Sequence, residues 1–217
     1  MSEYLTSRSL LLLRTIQGRA VNKWIYTREL ARLARVSTST ASIECRKLAK
    51  RRILFVKTEG REKSYRINLS NAAARKLYEL FEAERREAFY SKNRRLGWAL
   101  QDFTKRVFDS LPQIQSIVLF GSAARGELAR TSDVDILVLA PTFEQEAFNR
   151  LMKSVDALAA ETRGTYGFPI SAVTMTMNDW EAAIREKKRI AQDVMRDGFV
   201  LFGEERYYQL LSKVISE

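Results

Sequence analysis

Ser116-Ile-Val-Leu-Phe120-Gly121-Ser122-Ala-Ala-Arg125-Gly126-Glu-Leu-Ala-Arg130-Thr-Ser132-Asp133-Val-Asp135-Ile-Leu-Val138 is the stretch whose reading decides the fold. An apolar run rich in β-branched residues stops at Gly121-Ser122, and about ten residues later a second run carries Asp133 and Asp135. Side chains alternate faces along a strand, so carboxylates at i and i+2 project together while Val134, Ile136 and Val138 point into a core. Two like charges held on one face fit a shared divalent cation, magnesium or manganese, bridging to a phosphate. Gly121-Ser122, where the strand gives way to a helix, is where backbone N–H groups cradle such a phosphate. The alternative reading is a solvated turn in which Asp133 serves as a cap.

Phe120-Gly121-Ser122, a spacer, and Asp133-Val134-Asp135-Ile136 resemble the signature of the DNA polymerase β-like nucleotidyltransferase superfamily. Ala124-Arg125-Gly126-Glu127 with Ser132-Asp133 is similar to the fuller form found among its minimal members. The resemblance covers roughly residues 96–210 and implies a small mixed sheet packed by helices on one side. It also implies catalytic and metal-ligating roles for Asp133 and Asp135, and nucleotide binding by Gly121, Ser122 and Arg125, with Arg130 also within reach of phosphate. The implied ligands are Mg2+ or Mn2+ and a nucleoside triphosphate.

Outward from this core, charge divides the chain. Residues 1–70 hold 16 Lys or Arg against 5 Glu, a net of +11, whereas the remaining residues hold 21 charges of each sign. Such segregation predicts two domains, the first with a polyanion as partner. The single cysteine, Cys45, excludes an intramolecular disulfide, and the absence of histidine excludes Ser-His and Cys-His catalysis and the common zinc sites. No apolar run approaches membrane-span length, and Leu10–Leu13 is too short for a signal-peptide core, so a cytoplasmic protein without a membrane partner is expected.

In the basic region, helical spacing of Leu10, Leu11, Leu13 and Ile16 predicts a helix over 7–17, with Gly18 as its stop. A short extended Trp24-Ile25-Tyr26 precedes a second helix capped by Thr27, then a turn at Val36–Ser39 and a third helix over about 40–52. Ala41, Ile43, Cys45, Leu48 and Ala49 are its less polar positions. Strand-like runs at 53–58 and 64–69 flank a charged tip at Glu59–Lys63. Helix-turn-helix followed by a hairpin makes a winged helix. Leu30-Ala-Arg-Leu-Ala-Arg-Val-Ser37 is similar to the second-helix-and-turn text of winged helix-turn-helix transcription regulators. That fold lays its third helix in the major groove of double-stranded DNA, with Ser39, Thr40, Ser42 and Arg46 toward base edges. Lys47, Lys50, Arg51 and Arg52, with Arg61 and Lys63 on the wing, would meet phosphates. A solvated basic face, or a protein-contacting winged helix, is the alternative.

The expected class is therefore α+β: a winged helix-turn-helix over 1–70, a helical connector over 71–95 carrying pairs such as Glu82 with Arg86, and a nucleotidyltransferase-like mixed sheet with helices over 96–217. Helices are expected over 143–160 and 179–195, a loop at Gly164–Gly167, a strand over 168–176 and a closing strand at 199–202. One departure from the family stands out. No Asp or Glu occurs between Glu161 and Asp179, so Ser171 stands where competent members carry a third carboxylate. Three functions remain open: an enzyme moving a nucleoside monophosphate to a hydroxyl, a DNA-binding regulator with a weak or inactive nucleotide-sensing or dimerising domain, and an antitoxin. The expected partners are duplex DNA, a nucleotide, a second copy of the chain through the connector, and a toxin or other acceptor protein.

Overall fold

The structure, a computed structural model, describes residues 5–18, 21–127, 129, 132–142 and 144–215. It divides into two compact units, Met1–Tyr78 with Ile215–Glu217, and Glu79–Val214.

In the first unit, α1 (Ser7–Gln17) starts where Thr6 Oγ1 accepts a hydrogen bond from the Ser9 N–H at 3.0 Å. The short β1 (Ile25–Tyr26) leads into α2 (Thr27–Leu33), and α3 (Thr38–Lys50) follows. Thr27 does not cap α2: the helix already includes it, and its hydroxyl donates to the Lys63 carbonyl at 2.9 Å. Ser37 caps α3 by accepting from the Thr40 N–H at 3.1 Å. That helix buries Ala41, Glu44, Cys45 and Leu48, whose i, i+3, i+4, i+7 spacing is one helical face. The inward position is thus Glu44, and Ile43, one of the less polar positions in the sequence, is 51% exposed. Strands β2 (Leu54–Glu59) and β3 (Glu62–Ile67) pair antiparallel around a two-residue tip, giving the order β1-β3-β2.

A 21-residue helix, α4 (Ala72–Lys92), follows, and the boundary between the units falls inside it. Glu82, expected from sequence to pair with Arg86, is buried and accepts from the Val200 N–H at 2.8 Å. Arg86 donates to the carbonyls of Val200 and Leu201 and pairs with Glu204.

The second unit is built on a four-stranded sheet of order β6-β5-β4-β7: β6 (Ile170–Thr176), β5 (Val134–Ala140), β4 (Ser116–Leu119) and β7 (Phe199–Phe202). Only β5 and β6 run parallel. The edge strand β7 has its outward backbone groups satisfied by the α4 side chains Glu82 and Arg86, one way of protecting a sheet edge. On one face, α5 (Arg94–Ser110) and α7 (Gln145–Tyr166) bring Leu100, Phe103, Val107, Leu151 and Val155 against Ile117, Leu119, Val134, Ile136 and Val138. The helices are not confined to that face. Leu137 and Leu139 on the opposite face are also fully buried, and α8 (Met177–Arg185), with its buried Trp180, packs on β5 and β6.

Three boundaries differ from the sequence reading. Helix α7 passes through Gly164 to Tyr166 and stops at left-handed Gly167. Its expected first residue, Phe143, lies outside the described residues. The region after β6 breaks into α8 and α9 (Arg189–Asp197), with Lys187 at φ 53°, a left-handed turn that no glycine announces. Finally, α10 (Glu204–Ile215) buries Tyr207, Tyr208 and Leu211 after the closing strand.

Candidate functional site

The end of β4 and the start of β5 meet at one point. The Phe120 N–H donates to the Asp135 carbonyl at 3.0 Å, and the chain then turns through Gly121, at φ 70°, into the five-residue α6 (Gly121–Arg125). Gly121 is required twice over: its φ is left-handed, and a Cβ there would lie 2.2 Å from Asp135 Oδ2. The structure therefore places the Asp135 carboxylate directly over the Gly121-Ser122 turn. Ser122 is partly buried, Asp133 is exposed and Asp135 is half-buried.

Burial, then Asp133, then Asp193 push the Asp135 carboxyl above the ordinary carboxylate range, with Arg125 opposing them. Among the described residues no donor bonds to the Asp135 carboxylate, so it bears its charge against two like neighbours. Asp193 was not read as part of the site from sequence. It lies on α9, which packs against α6, and on the same helical face as Asp197 one turn later. The available signal was those i, i+4 carboxylates, the helical counterpart of Asp133 and Asp135.

Arg125 stands between acids. Its Nε donates to Glu127 and its Nη1 to Asp197, both at 2.7 Å, while Arg196 bonds Asp197 and Asp193 at 2.8 and 2.9 Å. Burial pushes the Asp197 carboxyl up, but the guanidinium groups of Arg196 and Arg125 outweigh it and hold it below the usual range. Arg189 also approaches Asp193, at 3.8 Å, and Asp133, Asp135, Asp193, Asp197 and Glu127 still outnumber these three arginines. A divalent cation with oxygen ligands fits that imbalance, and Asp133 with Asp135 would hold it. Among the described residues no group of three or more His, Cys, Asp or Glu is arranged to hold a metal alone. Remaining ligands would come from phosphate and water.

Ser171 pairs in register with Asp135 across the parallel β5–β6 ladder, so a hydroxyl is set beside the half-buried acid. Arg130 lies outside the described residues.

In the first unit, Ser42 and Arg46 of α3 and Arg61 and Lys63 of the hairpin line one groove of about 280 Å³. Tyr26, Thr27, Arg28, Thr38 and Glu62 complete it and were not read as part of it in the sequence; Tyr26 is brought there by the pairing of β1 with β3. Ser39 and Thr40 lie at the α3 N-terminus, where both hydroxyls are bonded to Ser37 Oγ at 2.8 Å. Lys50 and Arg51 are exposed near the far end of α3, as is Arg52 just beyond it, whereas Lys47 is paired with Glu44. No helix among the described residues is long and apolar enough to cross a membrane.

Comparison with known proteins gives three findings. A nucleotidyltransferase domain model matches residues 102–198. Protein adenylyltransferase MntA of Aphanizomenon flos-aquae (strain 2012/KM1/D3) is 30% identical over 105 residues, which is 48% of this chain and 67% of that protein. A crystal structure of a toxin-antitoxin with AMP-PNP is 28% identical, with a TM-score of 0.39 over 54% of this chain and 84% of that one.

Proposed function

The chain belongs to the nucleotidyltransferase family, and from that membership we propose that its C-terminal unit binds a nucleoside triphosphate with Mg2+ or Mn2+ and transfers the nucleoside monophosphate to a hydroxyl acceptor, releasing pyrophosphate. The observation that carries the reading is the closure of the Asp135 carboxylate over Gly121, which unites two separately encoded halves of the motif in one site. In-line phosphoryl chemistry asks mainly for positioning and charge neutralisation. Gly121 and Ser122 carry the triphosphate on backbone N–H groups, Arg125 meets its oxygens, and Asp133 and Asp135 hold the cation, which offsets charge on the phosphates. The similar Aphanizomenon flos-aquae protein is a protein adenylyltransferase, so ATP with a protein hydroxyl is the first donor and acceptor pair to examine.

A second reading, favoured by Ser171 standing opposite Asp135, is a nucleotide-binding domain with little or no turnover. Without a base beside the attacking hydroxyl, roughly a hundred- to ten-thousand-fold in rate is forgone. The acceptor or a partner chain would then have to supply the acid.

For the N-terminal unit we propose a winged helix-turn-helix that binds duplex DNA and gives the protein a role in transcription regulation. Its support is the run α2, turn, α3 and hairpin, the groove shared by Ser42, Arg46, Arg61 and Lys63, and the net +11 of residues 1–70. Incubating the full chain with Mg2+ or Mn2+ and ATP labelled at the α-phosphate, with and without cell extract, tests the first reading. Label on a protein band that disappears with Asp135→Asn is the expected result; binding without transfer supports the second.

A further inference from the structure

Asp197 holds neither cation nor phosphate in the site as read above, yet it is the buried end of a chain of contacts that leads to Arg125. Its side chain is 9% exposed, against 37% for that of Arg125. The Arg125 guanidinium has two directions fixed, Nε by Glu127 and Nη1 by Asp197, while Nη2 meets no protein acceptor among the described residues. On its other side, Asp197 is secured twice. Arg196 bonds its carboxylate through Nε and Nη2 at 3.0 and 2.8 Å, and Arg85 of α4 donates to the Asp197 and Gly198 carbonyls at 3.0 and 3.1 Å. Arg85 also lies 4.7 Å over the Phe199 ring, which fixes the junction between α9 and β7 against α4.

A long arginine loses much rotamer freedom when it binds a phosphate, and a side chain already held in place gives up less. Because Arg196 remains on Asp197, Arg125 need not stay fully engaged with it to keep the buried carboxylate partnered. We infer that Asp197 is a positioning residue for the nucleotide site, one that presents Arg125 to the β- and γ-phosphates of a nucleoside triphosphate and so sets preference for triphosphate over monophosphate. This rests on the nucleotide reading of the site given above. Arg85 and Phe199 hold the platform on which Asp197 sits.

Calorimetry of the full chain with ATP, ADP and AMP in the presence of Mg2+ or Mn2+ tests the inference. Asp197→Asn is expected to weaken ATP about tenfold and AMP less than twofold, collapsing the ratio between them. Asp197→Glu is expected to recover most of that loss. Arg125→Gln should match Asp197→Asn, and the double variant should lose no more than either alone, as coupled residues do. Tighter ATP binding by Asp197→Asn would overturn the inference, because it would make the ion pair a restraint that sequesters Arg125. Equal weakening of ATP and AMP, unchanged affinity, or additive loss in the double variant would overturn it as well, leaving Asp197 a structural contact. Absence of ATP binding by the wild-type protein with either metal would remove the nucleotide reading itself, a failure distinguishable from that of Asp197 alone. Arg85→Gln, which leaves every carboxylate in place, provides a second route: a smaller loss confined to ATP supports the relay, and none sinks its α4 arm.

Discussion

Glu44 in the first unit and Asp135 in the second are both drawn out of water, and the two are treated in opposite ways. Glu44, 6% exposed in the first unit, accepts hydrogen bonds from Ser9 at 2.6 Å, Thr6 at 2.9 Å and Lys47 at 2.7 Å. Lys47 first, then Ser9, pull its carboxyl down to about 2 against the opposing effect of burial. Asp135 is half-buried, bonded by no donor among the described residues, and raised by burial and by two other acids. A satisfied acid ties helices together; an unsatisfied one awaits a counter-charge.

That contrast is broken most sharply by Asp135→Asn. It is expected to reduce metal-dependent ATP binding by more than about a hundredfold, the scale on which losing a charged ligand acts. It should also leave thermal stability unchanged or slightly raised, since removing one of several repelling carboxylates relieves the apo protein. Calorimetry and a melting curve on the same sample measure both. Lost binding accompanied by a large drop in stability would make Asp135 a structural acid like Glu44.

The units should differ next in how their ligands respond to salt. If Lys47, Lys50, Arg51, Arg61 and Lys63 each neutralise one phosphate, duplex binding by the full chain should fall with a log–log slope of about −4.5. That is a loss of roughly several-hundred-fold between 50 and 200 mM salt. Nucleotide binding in the second unit should instead follow the metal. A flat salt profile in a gel-shift or anisotropy assay would withdraw DNA as the partner of the first unit.

Ser171→Asp sharpens the comparison from the other side by adding a further acid to the already crowded face of β5 and β6. It should raise metal affinity and, where transfer occurs, increase its rate about tenfold or more. Wild-type turnover of about one per second or faster, measured with labelled ATP, would show instead that Ser171 is not the position that matters.

What was legible in the sequence followed from whether a signal was local. Gly121-Ser122 with Asp133 and Asp135 could be read as one site because period-two alternation and a fixed spacer encode it within a short run of chain. Most element positions in the first unit were likewise local, as periodicity and the Gly18 and hairpin-tip punctuation indicate. Asp193 and Asp197 were not read as site residues, because the approach of Asp197 to Arg125 depends on α9 packing against α6 from about seventy residues away. The break at Lys187 carried no glycine or proline, and α7 runs past Gly164, an isolated glycine that a helix tolerates, to left-handed Gly167. Glu44 was hidden by hydropathy. Its neighbour Ile43 is the more apolar residue, yet the helix period turns Ile43 to solvent and Glu44 toward Thr6 and Ser9.

The smallest effect is therefore expected at Glu44, and it is the one that depends on pH. The folded protein holds this carboxyl at about 2, below the ordinary glutamate value of roughly 4.3. The unfolded chain thus takes up a proton first as pH falls, and the stabilisation is present above about pH 4.5 and lost progressively toward about pH 2. Glu44→Gln keeps an acceptor oxygen for Ser9 and Thr6 but removes the charge that Lys47 answers. Lys47 is 53% exposed, so solvent screens that part of the pair. The expected cost is about 1 kcal/mol at neutral pH, shrinking toward zero near pH 2 as the wild type loses the same charge. Urea denaturation of both proteins across that window measures the difference. A gap that stays constant with pH would mean that Glu44 contributes through shape and hydrogen bonding alone, and a gap that widens on acidification would reverse the sign of the contrast with Asp135.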